Sequence, residues 1–155
     1  MANQTMEYAP ITTAPGPVCR CEALLVSDHH AKPLFDRGVR SLGFNRLEER
    51  FEGGSSCCET HLLHATVSGE MVCEAGDEIL TIPAGHMLIA PARGPHWVRM
   101  TQSPTEAAWL HIYQTPQWQF LLDAGRRVHR LLNPINLAQA VASIVRASRE
   151  GHPRG

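Results

Sequence analysis

The stretch HLLHATVSGEMVCEAGDEILTIPAGHMLIAPARGPHWV, residues 61–98, decides the fold. Turn signals punctuate it and the residues that follow: Ser68-Gly69, Ala75-Gly76-Asp77, Pro83-Ala84-Gly85, Gly94-Pro95 and Ser103-Pro104, spaced 7 to 10 residues apart. Between them lie short segments rich in β-formers, at 61–67, 78–82, 86–90, 96–100 and 107–113. Strands this short and this evenly spaced make an antiparallel sandwich or barrel. A parallel α/β sheet is excluded, because no helix-length segment separates one strand from the next. Gly69 and Gly85 stand where tight hairpins want positive φ. Pro83 and Pro91 stand where a strand can end without losing a ladder bond.

Outward from this core the pattern changes on both sides. Residues 1–18 hold Pro10, Pro15, Gly16 and Pro17 without apolar periodicity and read as a loose arm. Residues 22–52 read as short strands and loops, with EALLV at 22–26 the clearest strand, and Gly53-Gly54-Ser55-Ser56 as a turn or flexible loop. After residue 114, Thr115-Pro116 offers a hydroxyl N-cap and a proline at the first helical position. Trp118, Leu121, Leu122, Val128, Leu131 and Leu132 then recur near helical spacing, with Gly125 as an interruption. Asn133-Pro134 repeats the start signal, and Leu137, Val141, Ile144, Val145 and Ser148 form one face of a second helix. The expected layout is arm 1–18, barrel 19–114, helical segment 115–150 and a tail or linker start at 151–155.

Composition bounds the function. At 155 residues, 43% hydrophobic and 19% charged, the chain can bury one core. A net charge of −1 leaves no basic footprint for nucleic acid over the whole chain. The charge is uneven: residues 1–123 carry 8 basic and 14 acidic groups (−6), residues 124–155 carry 6 and 1 (+5). The arginine-rich end reads as a solvated helix face or as a segment lying near an acidic partner. No apolar run spans a bilayer and no signal-peptide pattern opens the chain, so a cytoplasmic protein is expected. The five cysteines, including Cys19, Cys21, Cys57 and Cys58, lack zinc-finger spacing and read as reduced, small apolar residues.

The 61–98 run resembles the core of a cupin barrel, and more specifically the N-terminal sensing and dimerisation domain of AraC-type transcription regulators. The resemblance rests on Ser68-Gly69, Leu80, Pro83, Gly85, Met87, Ile89, Pro91 and His96, and on WLHIYQTPQW at 109–118. It covers residues 60–118; the arm and helices agree with the family in order rather than in residues. It implies a mainly β protein, a cupin-type double-stranded β-helix (jelly-roll) barrel with an N-terminal arm and two C-terminal α-helices. It implies a small-molecule effector, such as a sugar or a small acid, and a homodimer formed through helices after the barrel. In the family, helix-turn-helix units further along the chain bind DNA. About 40 residues follow the barrel here, too few for such a module with its own core, so this chain alone is not expected to bind DNA specifically.

Enzymatic cupins hold a metal with two histidines and a glutamate on one strand and a further histidine on a later one. Counting back from Gly69 puts Leu62 at the glutamate position and leaves only His96 of the set. His61 and His64 are three apart and point to opposite faces of a strand, so they cannot share a metal. No metal, cofactor or catalytic group is expected, and a stand-alone metal-dependent cupin enzyme, an isomerase or dioxygenase, is the alternative. Strand parity puts His64 and Thr66 inside with Leu62, and His96 with Val98 on the strand that follows. Trp109, His111 and Tyr113 share a face of the last strand. His64, Thr66, His96, Val98, Trp109 and His111 are therefore the candidate effector-binding residues, with ordinary core packing the competing account of each. His61 is placed outside. Arg20 and Arg46 are candidate charges for an acidic effector, with surface pairing the default. Leu137, Val141, Ile144 and Val145 are the candidate dimerisation stripe, with packing on the chain's own barrel the other reading.

Overall fold

A computed structural model describes residues 19–25, 32–48, 52–55 and 59–150. The expected arm at 1–18, the tail at 151–155 and the Cys57-Cys58 pair lie outside the described residues. The elements in chain order are β1 (Cys19–Leu25), α1 (Lys32–Asp36), β2 (Val39–Leu47), β3 (Glu52–Ser55), β4 (Thr60–Ser68), β5 (Glu70–Ala75), β6 (Glu78–Pro83), β7 (His86–Ala90), β8 (His96–Met100), β9 (Thr105–Tyr113), a 3-10 turn (Pro116–Trp118), α2 (Gln119–Ala124), β10 (Arg127–Arg130) and α3 (Pro134–Glu150). Every strand pair is antiparallel. One sheet runs β1-β2-β9-β4-β7-β10 and the other β3-β8-β5-β6. The eight strands from β2 to β9 thus interleave as two Greek keys, the jelly-roll order of a cupin-type barrel. β1 and β10 extend the larger sheet at its two edges.

The apolar residues sort by strand parity into two layers. Leu47, Leu62, Met71, Cys73, Ile82, Leu88, Ala90, Val98, Ala107 and Trp109 fill the space between the sheets. Val39, Leu42 and Ala108 point the other way and meet Val141 and Val145 of α3. The sheet is therefore apolar on its outer face along β2, which needs a helix to cover it. α3 starts as its sequence says: Asn133 Oδ1 accepts from the Asn136 N–H at 3.2 Å, an N-cap just before Pro134. The stripe read as a dimer contact lies on the chain's own sheet. Val141 and Val145 are buried there, and Leu137 and Ile144 are half-buried beside them.

The structure corrects the sequence reading in three places. Residues 115–132 are not one interrupted helix. Thr115 makes no side-chain cap, the turn after it is 3-10, and α2 stops at Gly125 with φ 73°. Residues 127–130 then form β10, which pairs with β7. Val128 is half-buried between exposed Arg127 and His129, and Leu132 is fully exposed, so the helical spacing of these leucines was coincidental. Residues 53–55, read as a turn or loop, belong to β3 and pair with Val98, Trp97 and His96 of β8. The third correction is Glu70–Ala75, missed as a strand and central to the smaller sheet. Among the described residues no helix is long and apolar enough to cross a membrane.

One end of the barrel is stoppered by a tight crossing. Gly69 has φ 79°, and a Cβ there would strike Thr105 Oγ1 and come within 2.7 Å of the Pro104 carbonyl. Thr105 is wholly buried, and its hydroxyl donates to Gln102 O at 2.7 Å and accepts from the Glu70 N–H at 3.3 Å. The functional groups described next begin at the opposite end.

Candidate functional site

The register brings the candidate residues together on inward faces. On β4, Leu62, His64 and Thr66 alternate inward; they pair with His111, Trp109 and Ala107 of β9 on one side and with Ala90, Leu88 and His86 of β7 on the other. From the facing sheet, β8 contributes His96 and Val98. His64, Thr66, His96, Val98 and Trp109 are buried and His111 is half-buried. All six residues selected from the sequence therefore line the interior. His61 is on the outward face as parity requires, but it is not exposed. It is fully buried, and its Nδ1 accepts the Ala92 N–H at 3.0 Å, anchoring the β7–β8 loop. Burial lowers the His61 pKa, with Arg93 adding to the effect. Arg46 makes the surface pairing, at 3.1 Å to Glu48 and 3.2 Å to Glu106; Arg20 has no described side chain.

The interior is polar in an unusual way. Asn45 and Ser41 of β2 stand opposite Ala107 and His111 and so face inward with them. Trp109 Nε1, Thr66 Oγ1, Asn45 Oδ1 and Ser41 Oγ are all buried and have no hydrogen-bond partner among the described residues. Each such group costs about 1–3 kcal/mol if nothing satisfies it. His64 fares little better: its Nε2 lies 3.1 Å from Met71 Sδ, a weak acceptor. His111 is better held, with Nδ1 3.2 Å from Thr60 Oγ1 and its ring edge-on to Trp109 at 5.4 Å.

The three inward histidines are neutral at neutral pH. Burial pulls His64 and His96 down to about 4, with His96 acting further on His64 and Arg126 on His96. Burial pulls His111 to about 3, helped by His96, Arg40 and His64. Each ring then offers one donor and one acceptor nitrogen. Among the described residues no group of three or more His, Cys, Asp or Glu side chains is placed to hold a metal ion. Leu62, inward on β4, stands at the position where the resemblance puts the glutamate of an enzymatic cupin.

Two arginines were missed from the sequence. Arg40, 4% exposed, lies over the Tyr113 ring at 5.7 Å. Arg126 precedes β10, pairs with Glu78 at 3.6 Å and donates to the Pro95 carbonyl at 3.3 Å. The strand register puts both at the His96 end of the barrel. Arg126 could not have been found while residues 115–132 read as helix.

No family model matches the sequence, and no curated protein matches it. Some solved structures are similar to part of this chain. A cupin superfamily protein from Desulfitobacterium hafniense is 10% identical, aligned over 61% of this chain and 79% of its own, with a TM-score of 0.47. The EutQ protein of Clostridium difficile is 11% identical over 66% and 73%, with a TM-score of 0.47. An HTH_3 family transcriptional regulator from Vibrio cholerae is 13% identical over 52% and 46%, with a TM-score of 0.46. The fold and site together define a cupin-type jelly roll with a histidine-lined, partly unsatisfied polar interior. The strand order carries that assignment, not these likenesses.

Proposed function

We propose that the chain is a small-molecule-binding module, the effector-sensing and dimerisation domain of an AraC-type regulator. The observation that supports it is the set of inward polar atoms without a partner among the described residues: Trp109 Nε1, Thr66 Oγ1, Asn45 Oδ1 and Ser41 Oγ. A guest that supplies two or three hydrogen bonds removes several desolvation penalties at once. Trp109 offers an indole face and edge to the body of such a guest, and the neutral imidazoles of His64, His96 and His111 adapt their tautomers to it. The guest acts by favouring one arrangement of the arm or a mouth loop, and so biases dimer geometry. With Val141 and Val145 seated on the chain's own sheet, contact with a second copy falls to the remaining exposed surface of Leu137 and Ile144.

A thermal-shift screen of sugars, small acids and aromatic compounds tests the binding claim, since a guest bound only by the native state raises the melting temperature by about 3 kcal/mol worth of linkage at a hundredfold excess over its dissociation constant. Stabilisation that disappears in Trp109→Phe and Thr66→Val supports the module. No stabilisation by any class, together with stoichiometric iron, manganese, nickel or zinc in purified protein, favours the metal-dependent enzyme instead. Removing residues 1–18 is expected to change effector affinity or the dimer response; no change in either rejects a role for the arm.

A further inference from the structure

Among the described residues the buried polar and charged side chains include Arg40 but no aspartate or glutamate. At the end of the barrel opposite the Gly69–Thr105 stopper, the register gathers the start of β2, the start of β8, the end of β9 and the approach to β10. That end therefore carries Arg40, His96, His111 and Arg126. Arg126 is only 22% exposed; its terminal nitrogens reach Glu78 and the Pro95 carbonyl, while its Nε–H is buried with no partner among the described residues. Glu78 is the carboxylate that meets this group, and at 3.6 Å with half its surface in water it engages Nη1 and leaves Nε unanswered. Trp109 and the apolar side chains around it lie deeper, past His111.

We propose that the guest is a small organic anion, its carboxylate at this end of the barrel between Arg126 with His96 and Arg40 with His111, and its apolar body directed inward against Trp109. This rests on the reading of the barrel as a guest-binding module and adds the chemical class of the guest. The carboxylate supplies the acceptor that Arg126 Nε lacks among the described residues. The deeper orphan groups, Thr66 Oγ1 and Asn45 Oδ1, suit a hydroxyl or amide on the inner end of the guest. A neutral sugar also offers acceptors to Arg126 but brings no negative charge to that end of the barrel.

The test uses matched pairs on the full chain at fixed salt and neutral pH: benzoate against benzamide, phenylacetate against phenylacetamide, and hexanoate against hexanamide. Affinity is read by calorimetry and by Trp fluorescence. At least one carboxylate is expected to bind about ten- to a hundredfold tighter than its amide, the worth of a hydrogen bond to a charged group. In Arg126→Gln that advantage is expected to collapse while amide binding stays within about twofold. Arg40→Lys, which keeps the charge at the buried position, is expected to retain part of it. Amides binding as tightly as acids, or sugars binding while both series stay silent, overturns the anionic assignment and leaves the guest-binding module standing. Silence from acids, amides and sugars together overturns both.

Discussion

Acidification is expected to unfold this domain far more steeply than its composition suggests. His64 and His96 titrate near 4 in the folded protein and His111 near 3, against 6.5 for the free side chain. Between those values the unfolded chain binds a proton at each ring and the folded chain does not. The stability that comes from keeping the rings neutral is whole above about pH 6.5 and drains as the pH falls towards 4. At pH 5 each ring costs about 2 kcal/mol, so the three together cost about 6 kcal/mol. That is about 40% or more of the total stability of a domain whose range is about 5–15 kcal/mol. Urea unfolding at pH 7, 6 and 5 reads this directly, and the midpoint is expected to fall by more than about 2 M across that range. His64→Gln, whose side chain does not titrate, is expected to cut the pH slope by about a third whatever it does to stability at pH 7. A midpoint that stays level between pH 7 and pH 5, or a slope indifferent to removing His64, refutes the claim that these rings are buried and neutral.

Three other substitutions probe separate parts of the account. Gly69→Ala is expected to lower the melting temperature by about 10 °C, whereas Gly76→Ala, with φ 61° and open space around the new Cβ, lowers it by about 3 °C from backbone strain alone. Thr66→Val in the ligand-free protein is expected to be neutral or to stabilise by about 1 kcal/mol in chemical denaturation, because its hydroxyl has no partner to lose; a loss of more than about 1 kcal/mol means the hydroxyl is satisfied inside the barrel. Val145→Ala, at the wholly buried contact of α3 with the sheet, is expected to cost about 2 kcal/mol while leaving the molecular mass in solution unchanged, as read by light scattering.

The barrel was legible in the sequence because its strands are half-buried and bounded by glycines and prolines that can do little else. Pro83 does close β6, and Gly69 and Gly85 do take positive φ. Strand parity was enough to put His64, Thr66, Trp109 and His111 on one inward face, since a period of two needs no tertiary information. What escaped depended on neighbours far along the chain. Val128 looks helical beside Leu131 and Leu132, and only the free edge of β7 makes a strand of residues 127–130. Residues 53–55 carry no β-forming side chain and are held as a strand by β8. Parity also says which way His61 points but not that the β7–β8 loop folds over it. Arg40 sits at a register irregularity between Val39 and Ser41, which no local pattern announces.

The claim that the interior receives an organic guest meets its most direct test at the Trp109 indole N–H, a buried donor without an acceptor among the described residues. Its nitrogen–proton resonance, assigned by Trp109→Phe, is followed while the ligand-free protein is titrated with the compounds that raise its melting temperature. A saturable downfield shift, tracking the stabilisation in concentration, is the predicted result. A resonance that stays in place while the protein is stabilised means the compounds bind elsewhere, and contradicts the account.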